Sequence, residues 1–167
     1  GNSVDSPIFT FRTAVAPGDC AINEVPIIVE QFDFEDGDQG WTHAAAQGTD
    51  TWALSTANPR GGLQHWHVDD VSTTSDQMLT SPIINIPLGL PDLTLQFWNN
   101  QQLESRTDGG CWDCGVLEVS TDGGANFTAI DNANLLTDPY DGALNAGPLD
   151  GEQAWCGDPQ DYLNSVV

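Results

Sequence analysis

Hydrophobic positions along this chain come in short bursts, seldom more than a few residues, each closed by Gly, Pro, Asn or Asp. Leu93, Leu95 and Phe97 alternate with Thr94 and Gln96, the period-two pattern of a strand with one face on a core. Helical periodicity is missing, as is the Lys- and Glu-rich surface that helices carry. The β-branched and aromatic runs predict strands over residues 8–15, 25–34, 41–45, 51–55, 64–71, 78–86, 93–102, 115–120 and 127–130, with a further strand-like ending at 162–167. Many short strands with frequent turns specify an all-β, antiparallel β-sandwich of the jelly-roll kind. Residues 1–25 read as the end of a preceding domain or a linker, and residues 26–167 as the jelly-roll module. The apolar ending at Val167 leaves a sheet edge unfinished, so the module is expected to continue past it.

Size agrees with one such domain. At 167 residues, folding removes roughly 70% of the unfolded chain's surface from water. No apolar run approaches the ~18 residues of a membrane span, and the first residues lack the basic and apolar regions of a signal peptide.

Charge changes the functional picture most. Twenty-five acids face three arginines (Arg12, Arg60 and Arg106) and no lysine, for a net charge of −22. That field repels phosphate backbones and anionic lipid, which excludes nucleic acid and membrane surfaces as partners. It keeps a surface hydrated and attracts cations. Calcium takes about six to eight hard oxygens from loops. Phe32-Asp33-Phe34-Glu35-Asp36-Gly37-Asp38 places carboxylates around a glycine turn, and Asp69, Asp70, Asp76, Glu104, Asp108 and Asp113 add more. The roughly twelve-residue EF-hand loop ending in Glu is not there, so a structural calcium would be gathered from strand ends distant in sequence.

Four cysteines, Cys20, Cys111, Cys114 and Cys156, form an even set. Cys111-Trp112-Asp113-Cys114 is a C-x-x-C that suits a redox pair, half a zinc site or two disulfide partners. No βαβ unit surrounds it and no second C-x-x-C follows, so disulfides and an oxidising compartment fit best. His65-Trp66-His67 puts two imidazoles on one strand face, a zinc-like spacing without a placed third ligand; ordinary hydrogen-bonded histidines, with His43, are the simpler reading. Ser120-Thr121-Asp122-Gly123-Gly124-Ala125-Asn126-Phe127 fits the Asp-box pattern, in which an Asp bonds turn amides and a terminal aromatic packs beneath a hairpin. Asn126-Phe127-Thr128 is formally a glycosylation acceptor. Of six tryptophans, Trp41, Trp52 and Trp98 sit in strand patterns and are assigned to the core. Trp66 and Trp112 lie in polar, turn-rich surroundings and are the candidates for stacking on sugar. Neither G-x-S-x-G nor H-E-x-x-H occurs, which argues against an enzyme; the alternative is a glycan-active fragment using an Asp/Glu pair.

Phe34-Glu35 with Gly40-Trp41-Thr42, Trp52, Ser75-Asp76, Leu79-Thr80-Ser81-Pro82 and Leu93-Thr94-Leu95-Gln96-Phe97-Trp98 resemble the MAM-like, concanavalin-like jelly-roll modules of secreted bacterial proteins. Glu104, the turn over 108–115, Leu117-Glu118-Val119 running into the Asp-box, and Ala154-Trp155-Cys156-Gly157-Asp158-Pro159 extend the resemblance over residues 30–167. Such modules accompany immune-inhibitor-A-like and other extracellular peptidases. The resemblance implies a secreted, non-catalytic accessory role: adhesion, binding of a glycan or cell-surface protein, or stabilisation of a catalytic domain in the same parent protein. It implies calcium at Glu35, with acids from Asp76, Glu104, Asp108 and Asp113. It pairs Cys111 with Cys156, which leaves Cys20 and Cys114 for each other.

Overall fold

The computed structural model describes residues 15–90 and 93–167. The chain is all-β. The described residues form ten short strands, β1 (Thr42–Gln47), β2 (Ala53–Ser55), β3 (His65–His67), β4 (Asp76–Thr80), β5 (Gln96–Asn100), β6 (Glu118–Val119), β7 (Thr128–Ala129), β8 (Gly142–Ala143), β9 (Gln153–Ala154) and β10 (Tyr162–Val166). A 3-10 turn, Asn132–Asn134, begins where the Asp131 carboxylate accepts the Ala133 N–H at 2.8 Å. Every strand pairing is antiparallel: β1 with β4, β2 with β3, β5 with β10, β6 with β7 and β8 with β9. These ladders are five two-stranded sheets, with isolated bridges between residues 103 and 166 in the second half.

In the first half, the β2–β3 hairpin falls in sequence between the paired strands β1 and β4, with Thr42 opposite Thr80 and Leu54 opposite Trp66. Phe32, Phe34, Trp41 and Trp66 meet edge to face beside them. The expected strand over 25–34 does not form. Ile27 and Ile28 lie exposed and find no ladder partner among the described residues, and β propensity without a neighbouring strand has nothing to pack on. The expected strand at 8–15 falls, but for Val15, outside the described residues.

The core sits in the second half. β9 and the residues after it run between the 103–115 segment on one side and β8 on the other. Gly115 and Trp155 exchange both backbone bonds, at 3.0 and 2.9 Å, and Leu103 does the same with Gly157. Trp155 is buried against Tyr140 at 4.8 Å and Phe97 at 5.9 Å between ring centroids, and its indole N–H donates to the Asp138 carbonyl at 2.8 Å. Leu135 completes this cluster, with Leu117, Ile130 and Val167 around it. A second, smaller cluster holds Cys111, Leu144 and Cys156. Between β5 and β10, Asp138 gathers Asn99, Gln101 and Ser165 on one carboxylate oxygen, so the buried Gln101 and Ser165 are both satisfied.

The alternating Leu93-Leu95-Phe97 pattern is only partly used. Phe97 reaches Trp155, whereas Leu93 and Leu95 are exposed. Trp98, assigned to the core from its strand pattern, points outward under the Arg60 guanidinium, 3.4 Å from its ring centroid. The chain exposes 12029 Å², well above the ~8,000 Å² of a compact monomer of its mass.

Trp155→Ala should therefore cost about 3–5 kcal/mol through lost packing, and Trp98→Ala no more than about 1 kcal/mol. Thermal denaturation of both variants checks this; equal losses would put the core elsewhere.

Candidate functional site

The most built part of the surface is the hairpin over residues 103–115. Its arms meet at the Ser105–Cys111 bridge. Its turn closes through Arg106 N–H to the Gly110 carbonyl at 2.7 Å. Gly109 takes φ of +89°, a conformation that favours glycine at that point of the turn. Past the turn, the Glu104 carbonyl accepts the N–H groups of Trp112 and Asp113 at 2.9 and 3.2 Å. The Cys111–Cys156 disulfide, with Cα atoms 5.7 Å apart, then fastens the hairpin to the chain just past β9.

This frame presents Trp112, 50% exposed. Arg106 lies over its ring at 4.5 Å to the centroid and grips Asp108 with two guanidinium nitrogens. The Arg106 hydrogen bond, helped by the Gly110 amide, holds the Asp108 carboxyl down at about 2, and Asp108 raises Arg106 in return. Sequence reasoning singled out Trp112 but missed Arg106 as its partner. The available signal was a lone basic residue in an acidic turn, two positions before Asp108 and six before Trp112. An adjoining cavity is lined by Ser105, Arg106, Gly109, Gly110, Asp141, Cys156 and Gly157.

Trp66, the other sugar candidate, is a packing residue. It lies in β3 at 6.3 Å from Phe34 and 5.5 Å from His43, with little of its face free. His43 shares a hydrogen bond with Asp50 at 2.7 Å, and His67 Nε2 lies 3.2 Å from an Asp69 carboxylate oxygen. His65 stands 6.1 Å from His67, its pKa lowered by burial and then by His67.

The five acids expected to hold calcium are dispersed. Glu35 accepts the Leu63 and Gln64 amides at 2.7 and 3.1 Å, which fixes the chain entering β3. Asp108 is committed to Arg106, and Glu104 serves the hairpin through its carbonyl. Asp76 and Asp113 each act on the Cys114 thiol. Among the described residues no three His, Cys, Asp or Glu side chains form a metal-binding group. As they lie, these residues do not fit a calcium ion, because two carboxylates already satisfy other donors and the remainder do not converge.

The cysteines divide as the resemblance implies for one pair only. Cys111 and Cys156 are bonded; Cys20 and Cys114 are not, and both remain thiols. Cys20 is exposed, while Cys114 is partly buried against the bridged pair. Burial first, then Asp113 and Asp76, push the Cys114 thiol up to about 11.

The Asp-box forms its hairpin between β6 and β7. Ser120 Oγ accepts the Gly124 amide at 2.9 Å, and Asp122 accepts the Ala125 and Asn126 amides at 3.1 and 2.9 Å. The Asn126 side chain, which would accept a glycan, instead donates to Asp122 at 2.7 Å. That bond leads the set that lowers the Asp122 carboxyl to about 2.

Compared with known proteins, the chain matches no family model, no curated protein and no solved structure.

Both lowered carboxylates stabilise the folded turns above their ordinary pKa of 3.8, and that contribution is lost as pH falls through about 2. The indole N–H resonance of Trp112 should therefore titrate with a midpoint near 2 in the wild type and lose that step in Asp108→Asn. A midpoint near 4 would show that Asp108 is not held by Arg106.

Proposed function

We propose that this chain is a secreted, non-catalytic accessory module of the MAM-like jelly-roll kind, and that it recognises a neutral glycan through Trp112. The reading rests on one observation: an indole left half exposed on the hairpin that the disulfide and the Arg106–Asp108 pair hold most firmly. A planar aromatic face stacks on the apolar face of a sugar ring, and a pre-ordered platform pays little entropy on binding. The net charge of −22 turns away anionic glycans and phosphate. Among the described residues no helix is long and apolar enough to cross a membrane, and a disulfide is at home outside the cell. The unusually large exposed surface, with Ile27, Ile83 and Leu88 among its apolar members, suits a module that packs beside a catalytic domain or cell-surface protein.

The rival reading, a glycan-active fragment, has one place that favours it. Asp131 and Glu152 line a common cavity with Asn132 and Gln153. Asp131, however, already caps the 3-10 turn, so it is ill suited to serve as acid or nucleophile.

A glycan array decides between them. The wild type should bind a neutral glycan, and Trp112→Ala should weaken it roughly thirtyfold, the effect of losing an aromatic anchor worth about 2 kcal/mol. Asp131→Asn should leave binding unchanged. No binding to any glycan, or equal binding by Trp112→Ala, would overturn the proposal.

A further inference from the structure

Three of the four sulfurs lie together, yet only two are bonded. Cys114 packs against the cluster of Cys111, Leu144 and Cys156. The backbone places it more closely. Gly115 and Trp155 are a hydrogen-bonded antiparallel pair, and Cys114 and Cys156 are the residues that immediately adjoin it, one on each segment. Cys156 thus has two neighbours that could hold its sulfur, one bonded and one free.

We propose that Cys156 exchanges between Cys111 and Cys114, making the 103–115 hairpin a thiol-switched element. The Cys114 thiol gives its proton to solvent and its sulfur attacks Cys156 Sγ. The Cys111–Cys156 bond breaks as the Cys114–Cys156 bond forms, and Cys111 leaves as a thiolate that takes up a proton. One disulfide and one thiol exist before and after, so no oxidant or reductant is consumed. The new bridge closes a loop only three residues shorter, so chain entropy scarcely separates the two states. What differs is the hairpin. With the bond at Cys111, the turn carrying Arg106 and the base of Trp112 is anchored; with the bond at Cys114, the anchor moves past Trp112 and the 105–111 turn is released. This inference does not depend on what Trp112 binds.

The test uses the full chain with Cys20→Ser, so that the exposed thiol takes no part. The protein is equilibrated in a glutathione redox buffer, quenched in acid, alkylated and digested without reduction by a protease that cuts before Asp113, separating Cys111 from Cys114. The expected result is alkylation shared between Cys111 and Cys114, none on Cys156, and two linked species, Cys111–Cys156 and Cys114–Cys156. Label confined to Cys114 would overturn the proposal. In Cys20→Ser/Cys111→Ser, a single Cys114–Cys156 link should form and the two alkylatable thiols should be lost. Two reactive thiols in that variant, folded by circular dichroism, would equally overturn it; if the variant does not fold, the single-variant mapping decides.

Discussion

The structure hangs on the joint between the 103–115 segment and residues 153–157. The Cys111–Cys156 bond ties residues 45 apart in sequence. Closing a loop of that length removes about 4 kcal/mol of chain entropy from the unfolded state in the loop-closure model. It does so beside Trp155, whose ring fills the larger core cluster and whose backbone is paired to Gly115. Covalent and apolar restraints therefore act on neighbouring residues of one segment, just past β9. With so few residues fully buried, this joint stands in for the broad core that a chain of this size ordinarily builds.

Acidic residues have a second role that net charge alone conceals. One at a time, they are spent on backbone amides: Glu35 before β3, Asp122 in the Asp-box, Asp131 at the 3-10 turn, Asp141 on the Cys156 amide at 3.0 Å. Each bond fixes a local stretch of backbone, some within a turn and some across the fold. Carboxylates used in this way are scattered by the segments they serve, and among the described residues no three of them gather into a metal-binding group. The arginines follow a complementary rule. Arg60 and Arg106 both lie over exposed tryptophans, Trp98 and Trp112, in place of forming long-range ion pairs. In a field this negative, each is a local pin.

Much of this was legible in local pattern. The all-β class followed from strand length and turn chemistry, and the Asp-box hairpin from eight consecutive residues. β10 was visible as an apolar run, and the Cys111–Cys156 pair from the resemblance of the segments around it. What stayed hidden depends on distant neighbours. β8 and β9 are two residues each, Gly142–Ala143 and Gln153–Ala154, with no β-forming side chains to mark them. They are strands because Trp155 and the disulfide hold them in register. The 25–34 run carries strand propensity but meets no partner, and the alternation at Leu93 and Leu95 specifies a face without anything to cover it. The same logic separates Trp66 from Trp112: both sit among polar residues in sequence, and only the fold puts Phe34 and His43 against one and leaves the other half exposed beside Arg106.

If the joint governs the fold, its amides should be the slowest to exchange with solvent. Residue-resolved hydrogen exchange on the full chain measures this directly. The expected result is strongest protection at Leu103, Gly115, Trp155 and Gly157, which falls sharply when the disulfide is reduced while the β1–β4 pair changes little. Protection greatest in β1–β4, or unchanged at those four amides after reduction, would contradict the account.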